Sequence, residues 1–368
     1  MHLMPTRDPH KQFQQWAREY GPVYSLMLGT TTMIVLNSAE AVKDLIDKKS
    51  NIYSDRQELY VGQTICSGGN RMLLLRYGPT WRLIRKMCHT LLNITAAKSY
   101  LPYQVLENKQ MINDMLDTPD RFLEHIRRYT TSFTTSMVYG WRTPVYDHQD
   151  VHDLYSEADK FFQITQSPTA ALFDCFPVLR RLPEQLASVK RRARTIYQVQ
   201  GDLYLRHWLN CKASVKSDTA RPSFGANMAK VQEGEGERNF SDRLAAYTAG
   251  SLLEAGSDTT ASTLYAFVLA MVAFPEVQKR AQAEIDRVIG GERMPTIEDE
   301  PSLQYVRACA KETMRWMPTA IFAFPHAVTW DDTYMGYRIP AGATVLMNVY
   351  TINMDPERYP EPRKFDPD

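Results

Sequence analysis

Ala255-Gly256-Ser257-Asp258-Thr259-Thr260 places a small-residue hinge, an acid and two alcohols in the middle of a long proline-free stretch. No proline occurs from Ser223 through Phe274. Leu244, Leu252, Leu253, Leu264, Phe267, Val268 and Met271 give apolar surface to what reads as one helix from about Asp242 to Phe274. A glycine inside a helix costs about 1 kcal/mol relative to alanine. Aspartate and threonine directly after it compete for backbone hydrogen bonds and weaken the helix further. Sequences keep such conflicts where the backbone must open or be approached closely. The stretch predicts a helix groove that holds a polar relay in an apolar wall.

N-terminal to it, Val23–Leu28 and Met33–Leu36 flank Gly29-Thr30 and read as a β-hairpin behind a short amphipathic helix, Pro9–Tyr20. Ser38 is a helix start, with Ala39, Val42, Leu45 and Ile46 on the apolar side. Gly62–Asn70 is irregular and precedes a helix containing Trp81–Leu92; helical patterns then run to about Asn210. Residues 212–239 are polar and hold three glycines, which predicts an exposed loop between helices. Glu276–Ile289 and Ser302–Met317 are two further helices, the second stopped by Pro318. Arg338–Leu346 reads as strand–turn–strand, and Asp355–Asp368 is rich in proline and charge. The expected architecture is a single domain over 1–368, mainly α with a small β-sheet region.

The chain has 368 residues, 44% of them apolar, and a net charge of +1 from 43 basic and 42 acidic residues. That is ordinary globular composition and excludes disorder or a bulk nucleic-acid role. Its 17 methionines, 20 tyrosines and 14 phenylalanines suit a large, adaptable apolar interior. The five cysteines, Cys66, Cys88, Cys175, Cys211 and Cys309, show neither metal-ligand spacing nor a disulfide framework, so reduced thiols are expected. No apolar run reaches the ~18–20 residues of a membrane span. As it stands, the chain is expected to be soluble or peripheral.

Several short patterns carry chemistry. Glu312 and Arg315 are three apart on one helix face, and Arg358 follows Pro356-Glu357 downstream. Taken alone the first pair is a surface ion pair; a carboxylate shared by two arginines instead fixes geometry when buried. Trp81 and Arg85 share a helix face and aim an indole donor and a bidentate cation the same way. His326 follows Pro325 beside the sheet. Lys190-Arg191-Arg192-Ala193-Arg194 reads as a solvated helix face.

In this order, the patterns Trp81-x-x-x-Arg85, Ala255-Gly256-x-Asp258-Thr259-Thr260, Glu312-x-x-Arg315, Pro325-His326 and Pro356-Glu357-Arg358-Tyr359 resemble the cytochrome P-450 family of haem-thiolate monooxygenases. The resemblance spans essentially the whole chain, and Pro325-His326 to Gly342 looks most like fungal members, which often work in secondary metabolism or xenobiotic oxidation. It implies a haem-dependent enzyme that uses O2, an apolar small-molecule substrate and an NADPH-dependent reductase. Asp258 and Thr259 would deliver protons to bound dioxygen. Trp81, Arg85 and His326 would hold the haem propionates, with Ala255 and Gly256 against the cofactor. Glu312, Arg315 and Arg358 would form a structural triad. Residues Gln57–Met72 and Thr319–Phe324 would line the substrate pocket, Ile65, Ile321, Phe322 and Phe324 among them.

The family's iron ligand is a cysteine in a Phe-x-x-Gly-x-Arg-x-Cys-x-Gly loop, expected beyond Asp368. Gly62–Gly68, with Cys66, keeps only the two glycines of that loop and lies on the expected substrate side. A membrane anchor is likewise expected before residue 1, which would place the protein at the endoplasmic reticulum. On this reading the chain is a P-450 fold shortened at both ends. It is then either a monooxygenase that is complete in the cell or a non-catalytic relic or binding protein unable to ligate iron by thiolate.

Overall fold

The computed structural model describes residues 7–235 and 240–368. Eleven of its longer helices and six strands organise the site. Helix α1 (Pro9–Tyr20) buries Phe13 and leads into the hairpin β1 (Val23–Leu28) and β2 (Thr31–Leu36). Gly29 takes the left-handed conformation that this two-residue turn requires (φ 63°). Helices α2 (Pro79–Leu92), α3 (Leu101–Asp117), α4 (Phe122–Tyr139), α5 (Gln149–Thr165) and α6 (Pro168–Cys175) follow. Then come α7 (Ser188–Lys216), α8 (Phe224–Glu235), α9 (Asp242–Ala273), α10 (Pro275–Ile289) and α11 (Gln304–Trp316). Strands β3 (His326–Ala327), β4 (Asp332–Tyr334), β5 (Tyr337–Ile339) and β6 (Thr344–Met347) close the chain's sheet region.

The main sheet runs β1-β2-β6-β3, with β2 and β6 parallel in the register Met33 to Thr344, so both ends of the sequence build it. Arg338–Leu346 is strand, turn and strand, but its two strands do not pair with each other. Its first half, β5, pairs with β4 in a separate two-stranded sheet, while β6 pairs with β2 and β3.

Helix α9 is the central strut, and its ends are where the sequence puts them. Ser241 caps the N-terminus by accepting from the Leu244 N–H at 3.2 Å, and Pro275 opens the next helix. The largest core cluster packs Tyr204 and Trp208 of α7 against Leu244, Tyr247 and Leu253 of α9. Gly250 makes that approach close, because a Cβ there would stand 2.5 Å from the Tyr204 ring.

Residues 212–239 are not an exposed loop. Helix α7 continues to Lys216, and α8 buries Phe224 and Met228 completely. The glycine that suggested a loop, Gly225, instead lets α8 touch its neighbours: a Cβ would meet Cys211 Sγ and the Val138 carbonyl at 2.8 Å. Residues 236–239 of that segment lie outside the described residues. The basic run on α7 is only partly solvated. Lys190 turns inward, is 7% exposed and donates to the Arg180 and Leu182 carbonyls at 2.7 Å. Among the described residues no single helix is long and apolar enough to cross a membrane.

Candidate functional site

Helix α9 is continuous through Ala255–Thr260; its backbone does not open into a groove. The alcohols are accommodated by bonding back along one stripe. Thr259 Oγ1 donates to the Ala255 carbonyl at 2.5 Å, and Thr263 Oγ1 donates to the Thr259 carbonyl at 2.9 Å. The Thr263 hydroxyl also lies 3.2 Å from that of Thr319, in the loop after α11. Ala255, Asp258 and Thr259 are exposed. Gly256 is not on this stripe: a Cβ there would stand 2.9 Å from Thr134 Cγ2 and Oγ1. What approaches Gly256 closely on its Cβ side is helix α4. Asp258 lies close enough to Tyr155 for its charge to help burial raise that phenol's pKa; Tyr155 OH in turn accepts from Thr131 of α4 at 3.2 Å.

Trp81 and Arg85 project one turn apart from α2, and neither side chain has a hydrogen-bond partner among the described residues. Asp55, which the sequence reading missed, joins their helix to His326. The Ala327 N–H, next to His326, donates to the Asp55 carbonyl at 2.7 Å. The buried Asp55 carboxylate accepts from Arg76 Nη2 at 2.6 Å and from the Tyr77 N–H at 2.7 Å. Burial pushes its pKa up, but these donors outweigh that and leave it below the ordinary value. The Tyr77 ring then lies 5.1 Å from that of Trp81. A continuous run of contacts thus leads from β3 to the start of α2. His326 itself pairs through Nδ1 with the Tyr53 carbonyl at 2.7 Å, and burial together with the Arg56 charge lowers its pKa.

The expected pocket wall divides. Ile65 and Phe324 pack on one cluster with Val61, Leu74 and Phe161. Arg56, also missed, fixes this wall by donating to the Phe324 and Pro325 carbonyls, both at 2.8 Å. Phe322 does not belong to it. Its ring lies 4.8 Å from Phe13, in the cluster that seats α1 on the sheet. Ala323 explains the split: its left-handed conformation (φ 50°) turns the chain, so that two side chains two apart face different cores. Ile321 is half-buried, and its carbonyl accepts from the Tyr350 N–H at 3.0 Å.

Residues 59–74, the loop before α2, contain a short π-helical turn, Tyr60–Ile65. Asp174 of α6 caps it, accepting from the N–H groups of Tyr60 at 2.7 Å and Val61 at 3.4 Å. Burial pushes the Asp174 pKa up to about 6. Arg71 in this loop enters a buried cluster that no sequence pattern announced. Its Nη1 pairs with Glu254 of α9, Nη2 donates to Gln200 Oε1 at 2.5 Å, and Nε donates to Ser67 Oγ at 3.2 Å. Gln200 Nε2, at 2.9 Å, and the Tyr204 hydroxyl complete the Glu254 carboxylate.

Glu312 and Arg315 form a buried bidentate pair, with Nε to Oε2 at 2.7 Å and Nη2 to Oε1 at 2.6 Å. Arg358 is not its third member. It is exposed and lines the rim of a cavity of about 640 Å³ shared with the pair, while the Asp366 N–H donates to Glu312 Oε1 at 3.0 Å. The turn aims its neighbour inward instead: the Arg315 guanidinium lies 4.7 Å from the centre of the Tyr359 ring.

All five cysteines are free and buried. Burial pushes the thiol of Cys66 up to about 12 and those of Cys88 and Cys309 up to about 11, so none of these three is a thiolate near neutrality. Cys66 is fully buried in the cluster of Val61, Leu74 and Phe161, on the pocket-wall side.

A mostly helical domain with this small mixed sheet and these motifs in register defines the class. The family model for cytochrome P450 matches residues 1–368, and the chain belongs to that family. It is 48% identical over 367 residues to cytochrome P450 monooxygenase virE of Hypocrea virens, 47% over 367 residues to fogE of Aspergillus ruber and 45% over 369 residues to fsoB of Humicola fuscoatra. Each comparison covers 100% of this chain, which spans 66% of the first relative's length and 68% of the other two.

Proposed function

We propose that the chain builds the oxygen-side wall and the propionate edge of a haem-dependent monooxygenase. The reaction inserts one oxygen atom from O2 into an apolar small molecule, and we place it in fungal secondary metabolism or xenobiotic oxidation. The observation that carries this reading is the unpartnered donor pair Trp81 and Arg85, tied through Asp55 to His326. An indole N–H and a guanidinium without protein partners suit a dianionic edge such as two carboxylates. The cysteines present supply no matching thiolate, so the fit covers the propionates and the oxygen side alone.

Haem, when bound, supplies the iron at which O2 is reduced with electrons from an NADPH-dependent reductase. The protein's own part follows from its hydrogen bonds. Trp81 Nε1 and Arg85 orient the group by donating to carboxylates. His326 Nδ1 donates to the Tyr53 carbonyl, so Nε2 is the nitrogen left for a carboxylate, and it donates only when protonated. Because the Thr259 hydroxyl hydrogen lies on the Ala255 carbonyl, its oxygen lone pairs are free to accept from a water or a reacting group. Asp258, exposed beside it, exchanges protons with solvent. The apolar wall of Ile65 and Phe324 favours an apolar substrate.

In the haem-loaded full-length protein, Thr259→Ala should divert electrons from product to peroxide several-fold with haem content unchanged. Peroxide and product per NADPH measure it. Unchanged coupling would refute the role given to Thr259. A full-length protein lacking the reduced carbon monoxide band of a thiolate-bound haem would favour a non-catalytic binding protein.

A further inference from the structure

We propose that Arg71 and Glu254 are positioning residues that hold the pocket loop, residues 59–74, in register with the Ala255–Thr259 turn of α9. The proposal rests on the functional reading above. Glu254 directly precedes Ala255, and Arg71 lies six residues after Ile65 on the pocket wall.

All three nitrogens of the Arg71 guanidinium are engaged by the protein. Its donors go to Glu254, Gln200 and Ser67, its plane lies 3.7 Å from the centre of the Phe161 ring, and its side chain is 3% exposed. Glu254, 12% exposed, is likewise filled by Arg71, Gln200 and Tyr204. The cluster therefore joins the loop to α5, α7 and α9 at one point. Ser67 passes the restraint along the loop by donating to the Gly62 carbonyl at 2.9 Å. Tyr247 adds a second tie from α9, its hydroxyl donating to the Cys66 carbonyl at 3.4 Å.

A buried ion pair adds little stability over apolar residues of similar volume, whereas removing one partner strands the other. Its distinctive contribution is geometric. Arginine is required for it, since a lysine ammonium cannot present three directed donors in a plane.

Hydrogen exchange on the haem-loaded full-length protein tests this, together with titration by 1-phenylimidazole as an apolar probe. Glu254→Gln should speed amide exchange in residues 60–74 at least about tenfold, leave residues 275–316 unchanged and weaken probe binding several-fold at normal haem content. Arg71→Met combined with Glu254→Met separates positioning from stability: it should melt close to wild type yet keep the fast loop exchange. Unchanged loop exchange in the double variant, or an equal rise in every helix, would overturn the proposal. The same exchange comparison between variant and wild type can be made without haem, so a protein that bound none would sink the functional reading alone.

Discussion

Two buried guanidinium–carboxylate pairs differ in what completes them. In Glu312–Arg315 the partners are three residues apart on α11, and the remaining arginine donors go to the Asn353, Pro362 and Lys364 carbonyls at 2.8–3.0 Å. That pair fixes the path of the chain. In Arg71–Glu254 the partners are 183 residues apart, and side chains from two further helices, Gln200 and Tyr204 of α7 and Phe161 of α5, complete the site. That pair fixes elements relative to one another. The first is visible as a sequence pattern because one helix holds both charges; the second exists only after the fold has formed. Asp174 supplies the contrast. Its half-buried carboxyl bonds N–H groups rather than a guanidinium, and burial pushes its pKa up to about 6.

Glu312→Ala should be the most damaging change, since it leaves the Arg315 charge buried. A loss of about 3–5 kcal/mol is expected from denaturant midpoints. A loss under about 1 kcal/mol would show that the carbonyls alone satisfy Arg315. Gly250→Ala should cost about 1–3 kcal/mol by overpacking against Tyr204, and a thermal melt reads it. An unshifted melt would mean that Tyr204 can withdraw without harm.

Asp174→Asn sharpens the contrast through pH. The folded pKa, about 6, exceeds the ordinary aspartate value of 3.8, so the folded state holds more protons between them. Wild-type stability should therefore fall as pH rises through that window, by at most about 1.4 kcal/mol per pH unit. The Asn variant should lack this slope in denaturation series, and an identical slope would count against the assignment. Arg358→Ala should have the smallest effect, within about 0.5 kcal/mol, as an exposed side chain outside the pair. A loss comparable to that of Glu312→Ala would restore Arg358 to the triad.

Elements set by local chemistry were legible in the sequence: Ser38 caps the helix it was expected to start, and Gly29 marks the hairpin. Glycines were ambiguous. Gly225 reads as a loop yet serves helix packing, as Gly256 does, because a missing side chain does not say what approaches it. Phe322 was misplaced because the left-handed turn at Ala323 leaves no mark in an alanine. Asp55, Arg56 and Arg71 escaped notice because the partners that join them to other elements lie 21 or more residues away. Trp81, Arg85, His326 and the Asp258–Thr259 pair stand out as sequence patterns, while Asp55 and Arg56, which bond the segments next to them, do not.

The Asp55 junction has a thermodynamic consequence. One carboxylate-bearing residue clasps strand β3 and the entry to α2, so docking of that strand and occupation of the rim between them are linked equilibria. A group held jointly by α2 and β3 must raise the melting free energy of the sheet edge by the same amount that an intact edge raises its affinity.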